Sequence, residues 1–591
     1  MKTIKIGCAS GFWGDSNMSA PQLLASKEMD YLVFDYLAEI TMSIMARQRA
    51  KNPDFGYAHD FVSKVMKDAL PEVAAQGIKV ISNAGGVNPE SCGRALEAVI
   101  EELGLDLKVA VVTGDELTHR VEHFRKEGVT EAYSGREMPK EFMSVNCYLG
   151  AFPVAEALSK GADIVVTGRG VDSAVTLGAC IHEFGWGIDE YDKLAGGSLA
   201  GHIVECGAQG SGGLFTDWEL SLDWDNVGYP LIEVSEDSTF EVYKPEGTGG
   251  IVCPECVAEQ MVYEIGDPQA YLLPDVTCDF SEVKMELVGD NRVKVSGTKG
   301  TRPTNTLKVS ATHFDCFRIS VGVTIRGFEA EGKARKTLEA VLKRTRRMME
   351  ATGIPDFLET HIDLVGAESE YGNHAKATNV RECWGRLSAK HTGQEALNML
   401  LREMTSSGTS MSPGTTGGGG GRAKPSPVVR LFSFYVDKET IQPTVHFGGE
   451  SWEVPFPKEE PIDVDAIQRH DLPSETPGGD TVEVPLIKLA HGRSGDKGNN
   501  ANIGILARKP EYYPIIRDQI TEAVVQDWFG HFLEGGVDRF DLPGVNGVNF
   551  LLHEVLGGGG IASLRQDPQG KAYAQILLDY PVKVPAGMLE N

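Results

Sequence analysis

The sequence predicts an α/β protein: a Rossmann-like parallel sheet in the N-terminal part, a mixed α+β middle region, and a small α+β unit at the C-terminus. Three observations carry this. Short apolar runs alternate with helical patterns through the first third of the chain. Beyond about residue 220 the texture becomes polar–apolar alternation, and a stretch rich in Pro, Asp and Glu over residues 457–481 sets off the last segment. Parallel strands need crossover connections, and those connections supply the helices that cover both sheet faces.

Residues 3–9 read as a strand, followed by Ser10-Gly11-Phe12-Trp13-Gly14-Asp15 and a helix from about residue 20. The strand at 31–34 runs into Asp35-Tyr36-Leu37-Ala38-Glu39 and a helix rich in Met and Ile. A helix over 58–76 precedes the strand at 79–82, which Asn83-Ala84-Gly85-Gly86-Val87-Asn88-Pro89 closes. A helix over 89–103 leads to the strand at 108–112 and Thr113-Gly114-Asp115, and the strand at 162–166 ends in Thr167-Gly168-Arg169-Gly170. Ligands of parallel α/β sheets bind beyond the carboxyl ends of the strands. Position therefore makes Gly11, Trp13, Asp35, Glu39, Asn83, Gly85, Asn88, Asp115, Arg169 and Asp172 candidate site residues. Glu39 and Asp115 are the acid–base candidates. Arg169 either clamps an anion through its planar guanidinium or pairs with Asp172 to pin the turn.

In the middle region, 240–243 and 292–295 alternate as half-buried antiparallel strands do. A strand at 317–325, a basic helix over 333–349, a helix over 394–404 and a strand at 428–436 follow. The C-terminal unit reads as strand 482–490, a polar glycine loop, strand 503–507, helix 510–530, strand 547–553 and a closing strand 573–579. The expected division is 1–456, with a parallel part at 1–215 and a mixed part at 216–456, then a linker at 457–481 and a C-terminal domain at 482–591.

Composition limits the function classes. A chain of 591 residues with 41% hydrophobic and 24% charged residues is an ordinary globular protein, with no apolar run near the ~18 residues of a membrane span. The first residues lack the apolar core and cleavage site of a secretory signal, so the cytoplasm is the expected compartment. A net charge of −28 disfavours nucleic acid and anionic membranes as partners but permits an anionic small molecule in a locally basic cleft. A homo-oligomer is the ordinary expectation.

Four motifs carry chemistry. His202-Ile203-Val204-Glu205-Cys206-Gly207-Ala208-Gln209 brings a thiol and hydrogen-bonding groups together, so Cys206 is either a nucleophile beside Gln209 or a buried, inert cysteine. Cys253-Pro254-Glu255-Cys256 is half a zinc site without a second pair, and no metal is expected there. A glycine run ending at Arg422 could cradle phosphate or carboxylate, or act as a hinge. No loop has the spacing of an ATP or dinucleotide fingerprint, so no cofactor is expected. The densest polar cluster is His491-Gly492-Arg493-Ser494-Gly495-Asp496-Lys497-Gly498-Asn499-Asn500, where Arg493 and Ser494 could bind substrate and Asp496 and Lys497 could act in acid–base or charge-stabilising roles. Its alternative is a self-satisfied turn.

Together with Ile6-Gly7-Cys8-Ala9-Ser10-Gly11-Phe12-Trp13-Gly14-Asp15, Tyr36-Leu37-Ala38-Glu39-Ile40-Thr41-Met42, Asn83-Ala84-Gly85-Gly86-Val87-Asn88-Pro89, Thr167-Gly168-Arg169, Glu205-Cys206-Gly207-Ala208-Gln209 and Tyr271-Leu272-Leu273-Pro274-Asp275, the chain closely resembles the acyclic terpene utilization family AtuA. Its Ser494-Gly495-Asp496-Lys497-Gly498 unit is similar to the ferredoxin-fold module that often accompanies that family. The resemblance implies a place in the catabolism of acyclic terpenoids such as citronellol and geraniol, beside acyl-CoA steps. It supplies neither a settled reaction nor catalytic residues. The expectation is an enzyme acting on an acyl-CoA thioester or carboxylate by hydration, dehydration or lyase chemistry. A cysteine hydrolase and a noncatalytic acyl-CoA-binding scaffold are the alternatives.

Overall fold

Five short strands, Thr3–Cys8, Tyr31–Phe34, Lys79–Ser82, Ile164–Thr167 and Val109–Thr113, lie side by side in that order, all parallel. Tyr31–Phe34 and Ile164–Thr167 are buried along their whole length, because helices cover both faces of this part of the sheet. Each such fully buried large apolar side chain contributes roughly 1.5–3 kcal/mol. The computed structural model describes residues 1–416, 423–457, 460–470, 472–473 and 479–589.

The parallel strands are the centre of a larger sheet, not a sheet of their own. Leu231–Ser235 pairs antiparallel with the first strand, and Phe240–Tyr243, Arg292–Ser296 and Lys284–Gly289 extend that edge. At the other edge, Thr444–Phe447 and Glu450–Glu453 add antiparallel to Val109–Thr113. The Rossmann-like parallel sheet expected for the N-terminal part is thus corrected to a mixed sheet of 11 strands. Hairpins from later in the chain return to both open edges and pair antiparallel there, without the crossover helices that parallel strands need. This sheet runs across residue 215.

A second sheet is organised by one long strand, Thr306–Arg326. Its first half pairs with Ser144–Cys147 on one side and Ser426–Asp437 on the other. Its second half pairs with Glu382–His391, beyond which lies Glu359–Val365. The helices Ala330–Thr352 and Gln394–Ser410 cover this half.

In the C-terminal unit the polar cluster at 491–502 is a hairpin and not a loop: Ala490–Lys497 pairs with Asn500–Ala507 around Gly498. Gly547–Leu552 and Val537–Leu542 complete a four-stranded antiparallel sheet. The expected helix over 510–530 is two short ones, Tyr513–Gln519 and Glu522–Trp528. The expected closing strand at 573–579 is instead the helix Tyr573–Leu577, whose buried Tyr573, Ala574, Ile576 and Leu577 have helical spacing. The closing strand is Pro581–Pro585, paired with Thr481–Pro485. The hairpin packs on the middle region through glycines: a Cβ at Gly504 would lie 2.3 Å from Val262, and one at Gly495 2.7 Å from the Tyr263 ring.

Candidate functional site

The carboxyl ends of the parallel strands gather a polar cluster built from separate segments. Asn83 Nδ2 donates to Asp35 Oδ1 at 2.5 Å, and the Tyr36 backbone N–H donates to Asn83 Oδ1 at 2.8 Å. Burial, then the Asp172 and Glu205 carboxylates, push the Asp35 carboxyl well above its usual range. Asp115, also buried, accepts from the Arg169 backbone N–H at 2.9 Å and from Asn146 Nδ2 at 2.8 Å, and burial raises it to about 6. Only glycine fits at 168, because a Cβ there would lie 2.4 Å from Asp115 Oδ1. Asp115 therefore fixes the backbone that presents Arg169.

Arg169 is 4% exposed. Its Nη1 lies 2.5 Å from Asp172 Oδ1, its Nη2 donates to the Tyr148 hydroxyl at 3.3 Å, and its guanidinium sits 4.3 Å from the Tyr148 ring centre. Its Nε is buried without a partner among the described residues. The Tyr148 hydroxyl in turn donates to Glu39 Oε1 at 2.7 Å. Burial pushes Glu39 upward, but the Lys308 and Arg169 charges and the Tyr148 hydroxyl outweigh it and hold the carboxyl down at about 2.

The tip of the C-terminal hairpin supplies the opposite wall. Burial, then Glu264, raises the Asp496 carboxyl to about 7 against the pull of Lys571, and Glu39 across the cleft adds to the rise. Lys571 Nζ lies 2.8 Å from Glu264 Oε1 and 3.5 Å from Asp496 Oδ1. Lys497 Nζ lies 5.7 Å from the Tyr271 ring centre. Between the walls, burial raises Glu205 to about 7, opposed by His202 at 3.0 Å and by Lys497, and reinforced by Asp172.

Glu39, Asp35, Arg169, Asp172, Asp496 and Lys497 thus act on one another's charges, directly or through Glu205, and Asn83 is bonded to Asp35. Other candidates do structural work. Asn88 caps the helix Pro89–Glu102 and donates to the Pro53 and Phe55 carbonyls, both at 2.8 Å. Trp13 Nε1 donates to Asp60 at 2.5 Å, away from the cleft. The Gly85 N–H donates to the Thr167 carbonyl at 3.1 Å. Gly11 lies against the Cys206 backbone. Arg493 joins the two parts of the chain by donating to Gln209 Oε1 and, at 2.8 Å, to the Leu214 carbonyl. Ser494 Oγ donates to the Gly570 carbonyl at 2.6 Å and accepts from the Ala574 N–H at 2.9 Å. The Cys206 thiol is driven well above its ordinary value by burial and by Glu205 and Glu264, so its surroundings oppose a thiolate. Arg422 and the glycine run before it lie outside the described residues.

Tyr148, Lys308, Glu264 and Lys571 were not among the sequence candidates. Glu205 and Tyr271 stand inside quoted motifs, which is the signal that could have found them; the others sit in unremarkable strands and turns.

A mixed α/β sheet whose strand-end charges meet those at the tip of a C-terminal hairpin defines a two-part α/β protein. The chain belongs to the acyclic terpene utilisation family AtuA, whose model matches residues 4–447, and residues 484–583 match the AtuA ferredoxin-like domain. No curated protein and no solved structure matches the chain. No described helix is long and apolar enough to cross a membrane.

Proposed function

We propose that the protein is a catabolic enzyme of acyclic terpenoid or branched-chain breakdown, performing hydration, dehydration or lyase chemistry on an acyl-CoA thioester or a carboxylate by acid–base catalysis. The observation that carries the reading is the separation of two carboxyls across one cleft: Glu39 held ionised near 2 and Asp496 raised to about 7. Environments that push paired titratable groups apart assign them different tasks. Asp496 is poised to give or take a proton at neutral pH. Glu39 is too weak a base for that and serves as a fixed negative charge that keeps Tyr148, Arg169 and Lys308 in place. Arg169, with its unpartnered Nε, and Lys308 would stabilise the negative charge that develops on a carboxylate or thioester oxygen. Lys497 would do the same from the opposite wall. The reaction moves protons and water without a change of oxidation state.

Incubation of the purified protein with branched acyl-CoA thioesters and free acyclic carboxylates, with mass analysis of products, tests this reading. A product differing by one water, or by cleavage of a carbon–carbon bond, is expected, and a panel returned unchanged overturns it. A second reading, a noncatalytic acyl-CoA-binding scaffold, draws on the exposed run of Leu214, Trp218, Leu220, Leu222 and Trp224, which would suit a protein partner. Tight acyl-CoA binding with no turnover favours it. The cysteine hydrolase has the least support, given the environment of Cys206.

A further inference from the structure

Far along the second sheet from the cleft, His361 and Asp363 stand two residues apart on the strand Glu359–Val365 and therefore on one face of it. Glu370, in the turn Ser369–His374, comes back over that face. One ligand atom from each of the three lies within 4.8 Å of the other two. His361 Nε2 and Asp363 Oδ1 are already 2.9 Å apart, joined by a single hydrogen that a metal ion can replace. The second Asp363 oxygen accepts from Arg386 Nη1 at 2.7 Å, across the strand pair in which Asp363 and Arg386 are register partners. That bond fixes the carboxylate and leaves Oδ1 turned toward His361, as the outer partners of metal-binding carboxylates do. Asp363 is 1% exposed, and the half-buried Glu370 carboxylate accepts no hydrogen bond among the described residues. Arg386 offsets one of the two carboxylate charges, and Arg565 and Asp567 act on Glu370 from the C-terminal unit.

We propose that His361, Asp363 and Glu370 form a binding site for a divalent transition-metal ion of the zinc type. One imidazole nitrogen with two carboxylate oxygens suits zinc and its neighbours better than magnesium or calcium, which favour all-oxygen shells. Zinc ligands sit about 2.0–2.2 Å from the ion in a tetrahedral array, so binding would part His361 and Asp363 slightly and draw Glu370 in. The site is a staple. The Glu370 backbone carbonyl accepts from His531 Nε2 at 2.8 Å, and His374 stacks on Trp528 with ring centres 3.6 Å apart, so the turn that carries Glu370 also holds the C-terminal unit. A bound ion would tie strand, turn and C-terminal unit together.

The test uses the full chain, stripped with a chelator and dialysed against zinc. Wild type is expected to retain about one equivalent of zinc more than His361→Ala, and Glu370→Gln to bind it roughly tenfold or more weakly. Zinc should raise the melting temperature of wild type and change the fluorescence of Trp528, and should do neither in His361→Ala. Equal zinc uptake by wild type and both variants overturns the proposal, as does a wild-type melt that saturating zinc leaves unmoved. Magnesium competing on equal terms overturns the transition-metal assignment. If His361→Ala fails to fold by circular dichroism, His361→Gln and Glu370→Gln decide by the same measurements.

Discussion

The strand-end wall holds Glu39 and Arg169 in fixed pairs, whereas at the hairpin tip Asp496, beside Glu264 and Lys571, is raised into the neutral range. On the first wall Asp115 pins the Arg169 backbone, Asp172 and Tyr148 hold its guanidinium, and Tyr148 bonds Glu39. On the second, Asp496 shares Lys571 with Glu264 and is raised by it. Under the acid–base reading proposed above, the difference would separate binding and orientation, which need charges that do not change, from proton transfer, which needs one that does.

That contrast can be broken at four places. Asp496→Asn should have the largest effect, a fall in kcat of about 10²–10⁴, with loss of the limb of the pH–rate profile near 7. It should also alter stability in a defined direction. A carboxyl raised from about 3.9 to about 7 binds its proton more tightly in the folded state, so between those values wild-type stability falls as pH rises, and the variant should show a flatter profile in denaturant titrations. Retention of full activity in Asp496→Asn would remove the proton-transfer role. Glu39→Gln should cost about 1.5–3 kcal/mol of stability at neutral pH by denaturant titration, the range for hydrogen bonds to charged groups. Because this carboxyl is depressed, its contribution is present above its ordinary value and is lost as pH falls toward about 2. Wild type and variant should therefore converge in acid, and a gap that persists there would contradict the fixed-charge role. Asn88→Ala should cost about 1 kcal/mol through the lost helix cap, with kcat unchanged, which separates a scaffold residue from the wall beside it. Cys206→Ala should leave turnover within about twofold, and a loss beyond tenfold would return the thiol to the site.

Most of the first wall could be read in the sequence, because parallel α/β units put polar residues at strand ends by construction. Asp35, Asn83, Asp115 and Arg169 follow buried apolar runs, and the structure gathers them. Tyr148 and Lys308 could not be found in that way. Tyr148 follows Ser144–Cys147, which pairs with the long strand Thr306–Arg326, and the pairing that brings Tyr148 to Ser310 spans 162 residues. Nothing local encodes so distant a register. In the hairpin at 490–507 the strand at 503–507 was legible, but the first arm was not, because its glycines and Ser494, with the asparagines beyond them, have the composition of a turn. They are satisfied instead by groups of other segments, such as the Gly570 and Val262 carbonyls. Asn88 shows the converse: its strand-end position makes it a site candidate, but in the structure it caps the helix Pro89–Glu102. The mixed character of the sheet was out of reach because its antiparallel edges come from residues 231–296 and 444–453.

The seam beneath the hairpin bears on how a substrate could reach the cleft. Asn502 and Asn549, both 0% exposed, bond each other and the carbonyls of Val262, Ile265 and Gly266, while the Glu264 N–H donates to Asn502 Oδ1 at 2.9 Å. Swinging the C-terminal unit aside would break these bonds together and expose the apolar contacts around them. The hairpin is thus a fixed wall rather than a door, riveted to the body of the protein by buried amides.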